Sequence, residues 1–380
     1  MKMLKRFCLI VLLLAVTLTT SGNIAWGMEE ELDEFADGQF CTVYDEADPS
    51  QIIFVTGRYV MVGDEYQTAD DRLYQVVRVE GTDKAYARFV KQVGLEDLRA
   101  DFADILADML ANRVTGPKDV TVGLYHTHSD ESYVPTDGTS SIRGNGTIYK
   151  VGSAMAQGLE REGVKVIHSQ ARHDPHDTAA YKRSRRTAQE LLQKADAVLD
   201  VHRDAVPASQ YTGEVNGEKM VLVQLVVGRQ NPNMAANKQF AQEIKAATDK
   251  QHPGLVKGIF FARSGYNQDL SPRNLLVEVG THKQSRNAAE KSANLFAQSY
   301  ARYLTASTAG SVAGQRREGQ VGTRTAFWLG GLVVLGAAIY MFLSTGSWEE
   351  LTSKVRTFTT REFGDLLGSR RPGDKDGGGR

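Results

Sequence analysis

Histidines and acidic residues cluster directly after an apolar stretch of the chain. The run TVGLYHTHSDESY at Thr121–Tyr133 begins as an apolar strand and then carries His126, His128, Asp130 and Glu131. Because side chains alternate along a strand, we expect His126 and His128 to point to one face. Imidazole and carboxylate groups are common zinc ligands. The stretch therefore predicts one half of a metal site.

Two further apolar strands end in residues of the same kinds. The run VLDVHRD carries His202, and NLLVEVGTH carries Glu278. A carboxylate within an apolar strand is unfavourable unless it is paired or faces a functional cleft. His202 is therefore a candidate ligand and Glu278 a candidate catalytic group. The structural alternative for Glu278 is a buried ion pair with an arginine such as Arg203 or Arg273.

The other histidines are interpreted as structural or solvated. His168 and His252 follow a strand or lie in a loop, and no acidic residue adjoins them. The run HDPHD at His173–Asp177 does place two histidines beside aspartates. We interpret that run as a solvated loop rather than as a metal site.

Composition narrows the class of protein. The 380-residue chain has a formal net charge of −1, and no basic run is interleaved with aromatic residues, which argues against a nucleic-acid binder. Of the two cysteines, Cys8 lies in a predicted export signal, so Cys41 alone remains and no internal disulfide is possible. A zinc site here would therefore use histidine and carboxylate ligands rather than thiolates.

Apolar runs near both ends predict a protein held at the cell membrane. Residues 1–27 combine a basic start, an apolar run and a plausible cleavage site, which indicates a signal peptide or an N-terminal anchor. Residues 326–343 hold no charge over 18 residues and predict a C-terminal transmembrane helix after a linker at 307–325. The basic tail, 344–380, is then expected to be cytoplasmic and the catalytic domain extracytoplasmic.

Hydrophobic periodicity predicts two folded regions between these ends. Residues 28–115 are expected to form a small β-rich module followed by an amphipathic helix at Leu95–Ala111. Gly116-Pro117 marks a predicted boundary. Residues 116–306 alternate strands with helices, including a two-residue hairpin turn at Asn216-Gly217. This order predicts an α/β fold with a mostly parallel sheet and helices on both faces, whose site lies beyond the carboxyl ends of the strands.

Longer motifs carry a resemblance to a known family. The runs YHTHSDESY, VHRDA, VVGRQNPN and YNQDLSPRNLLVEVGTH, in this order, resemble the stage II sporulation protein P family over about residues 121–306. That family is similar to the zinc-dependent N-acetylmuramoyl-L-alanine amidases, which have an α/β fold. In those amidases two histidines and a glutamate bind zinc, and a further glutamate in an LVELG-like strand is catalytic.

The resemblance implies a role for each candidate residue. His202 corresponds to the second zinc-binding histidine and Glu278 to the catalytic glutamate. The first histidine is His126 or His128, since register with the amidase motif favours His128 and proximity to the strand end favours His126. Glu131 is the expected glutamate ligand, although in general amidases that glutamate comes later in the chain.

The resemblance also implies a reaction and its partners. The expected activity is hydrolysis of the amide between N-acetylmuramic acid and L-alanine in peptidoglycan during engulfment, with water activated by zinc and Glu278 as the base. Some members cleave cross-linking peptides as endopeptidases, and a lytic transglycosylase and other engulfment proteins are expected partners. Arg203 is expected to stabilise an oxyanion or bind a peptide carboxylate. Asn267, Asp269 and Arg273 are expected to line the substrate groove.

Two other functions are compatible with the same residues. The chain could be a non-catalytic scaffold of the engulfment machinery that binds peptidoglycan, or a zinc peptidase of another class that acts on protein. Zinc content distinguishes the scaffold, and the products released from purified peptidoglycan distinguish the peptidase. The C-terminal apolar run departs from the family, whose members are expected to have an N-terminal anchor.

Overall fold

The computed structural model describes residues 34–100, 102–110 and 120–307. The predicted export signal, the linker beyond residue 307, the transmembrane helix at 326–343 and the basic tail lie outside these ranges. Within them, no helix combines the length and the apolar character needed to cross a bilayer.

Strands dominate the first part of the described chain and alternate with helices in the rest. The strands are β1 Cys41–Asp45, β2 Ile52–Thr56, β3 Glu65–Thr68, β4 Arg72–Glu80, β5 Lys84–Gln92, β6 Thr121–Tyr125, β7 Lys165–His168, β8 Ala197–Asp204, β9 Thr212–Val215, β10 Glu218–Val221, β11 Val223–Gly228, β12 Val256–Ala262 and β13 Asn274–Thr281. The α-helices are α1 Phe102–Leu110, α2 Val134–Asp137, α3 Ile148–Arg161, α4 Ala180–Leu192, α5 Met234–Gln251 and α6 at residues 286–307.

One large sheet of 11 strands has the order β2-β1-β5-β4-β3-β12-β11-β13-β8-β6-β7. Strands β7, β6, β8 and β13 are parallel neighbours, and β11 is parallel to β12 but antiparallel to β13. The predicted α/β fold with a mostly parallel sheet is therefore confirmed for the chain after residue 120. Among β1 to β5 the pairing is antiparallel except between β1 and β5.

The N-terminal strands continue the sheet of the α/β region. Strand β3 pairs antiparallel with β12, with Thr68 opposite Gly258 and Glu65 opposite Phe261. This pairing covers an edge of β12 that would otherwise present unpaired backbone groups. The predicted β-rich module is therefore joined to the α/β region by backbone hydrogen bonds.

Side-chain alternation divides the sheet into two covered faces. On β8, Leu199 and Val201 belong to the main core, which also contains apolar residues of α1, α3, α5 and α6. Val198 points the other way and packs with residues of α4. Leu276 of β13 packs on that second side with residues of the N-terminal strands. Helices thus cover both faces, and the second face is completed by β1 to β5.

Two local predictions differ from the structure in the N-terminal region. The predicted helix Leu95–Ala111 is divided into a 3₁₀ turn at Leu95–Asp97 and helix α1, and Leu98 is extended. The Asp97 carboxylate accepts the Gly94 N–H at 2.9 Å, a capping contact that stabilises the start of this short turn. Strand β1, in a stretch with no clear period, was not predicted, although its apolar side chains are buried.

The hairpin predicted from Asn216-Gly217 is confirmed. Val215 of β9 lies opposite Glu218 of β10, with the two turn residues between them. Their φ angles are 53° and 82°, the left-handed conformation that a two-residue turn of this kind requires and that Asn and Gly adopt most readily.

Candidate active site

Strand register brings His202 and Glu278, which lie on neighbouring strands, close together. His202 of β8 lies directly opposite Glu278 of β13 in the parallel pairing. Neighbouring strands are about 4.8 Å apart, and paired residues project from the same face. His202 is 0% exposed and Glu278 is 2% exposed. The two polar side chains therefore share one buried environment, on the face covered by α4 and the N-terminal strands.

The loop after β6 is held against β8 by a buried carboxylate. Asp200 accepts the backbone N–H of Thr127 at 2.8 Å and its hydroxyl at 2.5 Å. Farther along the loop, Glu131 Oε2 accepts the backbone N–H of Arg203 at 2.9 Å. These bonds place His128 and Glu131 beside the end of β8.

Three of the predicted ligands converge on one point. Glu131 Oε1 lies 3.4 Å from His128 Nδ1 and 3.2 Å from His202 Nδ1. Ligands about 2.0–2.1 Å from a tetrahedral zinc lie roughly 3.3 Å from each other. His202 Nε2 lies 2.9 Å from Asp200 Oδ1, although the two atoms are not aligned as a hydrogen bond. The donor types and the distances of the two nitrogens from Glu131 Oε1 fit zinc.

Two further donors reach this cluster, and the sequence did not identify either. Ligand atoms of Glu34, His128, Glu131 and His176 all lie within 4.8 Å of one another. Glu34 Oε2 is 3.3 Å from both His128 Nδ1 and His176 Nε2. His176 does lie in a loop, as the solvated-loop interpretation expects, but its side chain reaches this cluster, and its aspartate neighbours are a usable signal for that position. Glu34 lies in an acidic stretch without a motif and had no such signal.

Charge neighbours strongly affect the acid–base properties of this cluster. Burial opposes protonation of His176, but Asp130 and Glu34 outweigh it and raise the pKa to about 10. Burial also opposes ionisation of Glu131, yet the adjacent His202 and Arg203 hold its pKa well below the usual range. The anionic Glu131 carboxylate is in the state that binds a divalent cation, whereas His176 must lose its proton before its imidazole can do so.

His126 lies apart from the cluster, in a second histidine pair. Its Nδ1 bonds to the Val201 carbonyl at 2.8 Å and its Nε2 lies 2.9 Å from His168 Nε2. A Cβ at Gly152 of α3 would come within 2.6 Å of His126, so this side chain points to the α3 face. Burial lowers the pKa of His126 to about 3 and that of His168 to about 4.

The expectation that both histidines share one face therefore does not hold. Strand β6 ends at Tyr125, so the simple alternation does not continue through the loop that carries His126 and His128. Tight packing on α3 fixes His126 on one face, and the bonds to β8 turn His128 to the other. Of the two alternatives for the first ligand, the geometry brings His128 to the cluster.

Glu278 has a basic partner that the sequence did not indicate. Arg58, in the loop after β2, donates to Glu278 Oε1 from Nη2 at 2.6 Å and from Nε at 3.2 Å. The expected alternatives, Arg203 and Arg273, make no such bond. Among the residues that the structure describes, Glu278 Oε2 has no hydrogen-bond partner, and it is buried. Burial raises the pKa of Glu278 to about 8, against the opposing charge of Arg58.

A cavity of about 450 Å³ opens beside the donor cluster. Its lining includes His128, His176, Tyr181 and Arg203. The Arg203 guanidinium donates to the Ser140 carbonyl at 3.1 Å and lies 3.5 Å from a carboxylate oxygen of Asp37. Arg203 therefore lies at the cavity, with its guanidinium already beside the Asp37 carboxylate.

The residues expected to line the groove lie elsewhere. Asn267 donates to the Tyr181 carbonyl at 3.0 Å, and Asp269 pairs with Arg185 of α4 at 2.6 Å. Both tie the loop before β13 to α4. Arg273 precedes the first residue of β13, five positions before Glu278, which at about 3.3 Å per residue is the opposite end of the strand. None of the three lines the cavity.

The family comparison agrees with these motifs and this geometry. The sequence model of the family described as "Stage II sporulation protein P (SpoIIP)" matches residues 71–301, more than half of the chain. This protein belongs to the stage II sporulation protein P family. The family member from Bacillus subtilis (strain 168) is 30% identical over 212 residues, which are 50% of this chain and 53% of that protein. The chain thus spans about half the length of the curated relative it matches.

Solved amidase structures also show similarity to this family member. Ami1, an N-acetylmuramyl-L-alanine amidase from Mycobacterium smegmatis, is 15% identical, with 50% of this chain and 99% of that chain covered and a TM-score of 0.33. The N-acetylmuramoyl-L-alanine amidase from Clostridium difficile 630 is 14% identical, with 49% and 98% covered and a TM-score of 0.33. The CwlD amidase from Clostridioides difficile, in complex with the GerS lipoprotein, is 14% identical, with 51% and 99% covered and the same TM-score of 0.33.

Proposed function

We propose that this protein is a zinc-dependent cell-wall hydrolase that cleaves the amide between N-acetylmuramic acid and L-alanine in peptidoglycan during sporulation. The observation that carries the proposal is the convergence of His128, Glu131 and His202 next to Glu278 at one buried point. Membership of the stage II sporulation protein P family supports the sporulation context.

The proposed zinc ligands are His128, Glu131 and His202. The His128 and His202 nitrogens lie at zinc-ligand distances from Glu131 Oε1. Among the described residues, His128 Nδ1 is a buried nitrogen without a well-formed hydrogen bond, which a metal ion would satisfy. Bound there, zinc would supply Lewis-acid chemistry and lower the pKa of a coordinated water to about 7.

Glu278 is the proposed general base and acid. One carboxylate oxygen, Oε1, accepts from Arg58, whereas Oε2 has no partner in the described part of the chain. The free oxygen can take a proton from the attacking water and return it to the leaving nitrogen. The C–N bond breaks with water added across it, so the lactyl group leaves as a carboxylic acid and L-alanine gains a free amino end.

Arg203 is proposed to bind the substrate beside the reacting bond. Its guanidinium lines the cavity and lies 3.5 Å from the Asp37 carboxylate, so it can recognise another carboxylate there. Stem peptides of peptidoglycan carry free carboxylates. Endopeptidase action on cross-linking peptides would use the same cavity and the same chemistry.

The location of the substrate leads to a proposed location for the protein. Peptidoglycan lies outside the cytoplasmic membrane, so we place the catalytic region there, held by the apolar runs at residues 1–27 and 326–343. A lytic transglycosylase and other engulfment proteins are the proposed partners. The family resemblance and the sequence patterns support these assignments.

Purified peptidoglycan tests the reaction directly. The full chain, loaded with zinc, is incubated with sacculi and the released muropeptides are identified by mass spectrometry. We expect new L-alanine amino ends, loss of activity with a chelator and its return with zinc. The matched variant Glu278→Gln, which is nearly isosteric, should reduce hydrolysis by about 10²-fold or more while zinc remains bound.

Other results would contradict specific parts of this proposal. Full activity in Glu278→Gln would remove Glu278 from catalysis, and loss of zinc in that variant would make it a ligand. Cleavage of protein but not of sacculi would favour a zinc peptidase of another class. Sacculus binding without zinc or products would favour the scaffold alternative.

A further inference from the structure

We propose that Arg58 is a positioning residue for the catalytic carboxylate, and that the N-terminal strands are thereby part of the catalytic unit. The inference rests on the proposed role of Glu278 and extends it to a second residue. Arg58 lies 220 positions away from Glu278 in the chain and is 2% exposed. No motif of the family resemblance includes it.

The contact between Arg58 and Glu278 uses only one of the two carboxylate oxygens. Two guanidinium nitrogens of Arg58 donate to the same oxygen of Glu278, at 2.6 and 3.2 Å. Within the described part of the chain, the other carboxylate oxygen is buried and without a partner. Two donors on Oε1 hold that oxygen in place and leave Oε2 as the oxygen available to the reaction.

The arginine itself is held from several sides. Its Nη1 donates to the Tyr181 hydroxyl at 3.3 Å, and its guanidinium lies 5.1 Å from the centre of the Tyr266 ring. Nη2 also lies 2.7 Å from Glu34 Oε1, so the arginine joins Glu278 to the acidic end of the donor cluster. A side chain with this many fixed partners has one available conformation, which is what accurate placement of a base requires.

The backbone that carries Arg58 is anchored to the same strand as His202. Asp204, at the end of β8, accepts the Gly57 N–H at 2.9 Å. A Cβ on Gly57 would lie 2.7 Å from that carboxylate oxygen, so the loop approaches β8 as closely as glycine permits. Strand β8 therefore positions both His202 and the loop that holds the catalytic carboxylate.

Arg58 lies in the N-terminal part of the chain, outside the range that the family model matches. The family match begins at residue 71, so Arg58 precedes the matched range. A catalytic region defined by the match alone would keep Glu278 and lose the group that orients it. Strands β1 to β5 thus supply part of the site as well as part of the sheet.

Two substitutions in the full, zinc-loaded chain test the role. Arg58→Lys keeps the charge with one donor group, and Arg58→Gln keeps donors without the charge. We expect kcat on sacculi to fall by about 10-fold in the first and about 100-fold in the second. KM and the zinc content are expected to stay near the values of the unsubstituted protein, because the three proposed ligands and the proposed substrate contact Arg203 are retained.

A double variant separates positioning from a purely structural role. If Arg58 acts through Glu278, adding Arg58→Gln to Glu278→Gln should cause no further loss of residual activity in single-turnover assays. The matched control is Arg229→Lys, since Arg229 pairs with buried Asp64 and also links the N-terminal strands to the α/β region. We expect that control to retain kcat.

These measurements distinguish a failure of the proposed function from a failure of the proposed role of Arg58. An active Glu278→Gln protein would contradict the proposed function itself. An inactive Glu278→Gln with full kcat in Arg58→Gln would overturn the role of Arg58 alone. Equal losses in Arg58→Lys and Arg229→Lys, or an additive loss in the double variant, would reduce Arg58 to a structural residue. If Arg58→Gln fails to fold, the kcat of Arg58→Lys relative to that of Arg229→Lys decides whether Arg58 positions Glu278.

Discussion

At the scale of single residues, identity and spacing indicated most of the proposed chemistry. His128, Glu131, His202 and Glu278 were candidates because histidines and acids follow apolar strands, where they are unfavourable without a function. Arg58 gave no signal, because arginine in a loop is usually solvated. Which of two neighbouring histidines reaches the cluster depended on where β6 ends, and sequence alone left that open.

Zinc content distinguishes the two histidines near β6. His128→Ala removes a proposed ligand, so bound zinc measured by atomic emission should fall well below about one ion per chain. His126→Ala removes a buried hydrogen-bonding group from the α3 face, so thermal stability should fall while zinc remains bound.

Loss of zinc in His126→Ala, with zinc retained in His128→Ala, would contradict the assignment of His128 as the ligand. A suitable control is His252→Ala, because His252 lies in the loop after α5 and takes no part in the donor cluster. It should leave both zinc content and thermal stability nearly unchanged.

At the scale of elements, alternation along strands decides which polar groups meet. His202 and Glu278 share a face because their strands are parallel and in register, and the opposite face carries the main apolar core. Strand β12 also carries a buried polar group, the ammonium of Lys257, near Asp204 and Glu278. Lys257 Nζ lies 4.0 Å from the centre of the Tyr211 ring and, within residues 34–100, 102–110 and 120–307, has no hydrogen-bond partner. Burial lowers its pKa to about 8, although Asp204 and Glu278 oppose that shift.

This lysine predicts a pH dependence of stability. A base whose pKa falls on folding is charged in both states below about pH 8, where its burial lowers the free energy of unfolding. Between about pH 8 and 10.5 the folded state binds fewer protons than the unfolded state, so this contribution makes the protein more stable as pH rises. The gain is about 3 kcal/mol.

Lys257→Met isolates this effect from other titrating groups. Urea unfolding at pH 7.5 and pH 10 should show the variant more stable than the unsubstituted chain at the lower pH and the difference shrinking at the higher. A difference that does not change with pH would show that the ammonium group is well solvated or fully paired.

At the scale of the whole molecule, the N-terminal strands complete both the sheet and the site. They pair with β12, cover apolar residues of β11, β12 and β13, and supply Arg58 and the region of Glu34. Apolar burial contributes about 25 cal/mol per Å², so uncovering these strands would be strongly destabilising. The boundary predicted at Gly116-Pro117 lies outside the described residues.

A truncation tests this dependence. A fragment of residues 120–307 would expose Val226, Phe260 and Leu276, which pack against the N-terminal strands. We expect it to bind a hydrophobic dye and to lose near-ultraviolet circular dichroism, unlike the full chain. A fragment that unfolds cooperatively and hydrolyses sacculi would contradict both this view and the role of Arg58.

The sequence by itself determined the local features of this protein. Hydrophobic period predicted the strands and helices after residue 120, the Asn-Gly pair predicted its hairpin, and the motifs predicted the family. Each of these depends on neighbours within a few residues or on a long shared run, which a single chain displays directly.

Tertiary structure alone decided which distant groups meet. Glu34, Arg58 and His176 reach the site through strand pairing and loop anchoring, and Asn267, Asp269 and Arg273 are kept away from it by the same register. The physical reason is that strand register and the path of loops are set by packing between segments up to 220 residues apart, and no local pattern records that packing.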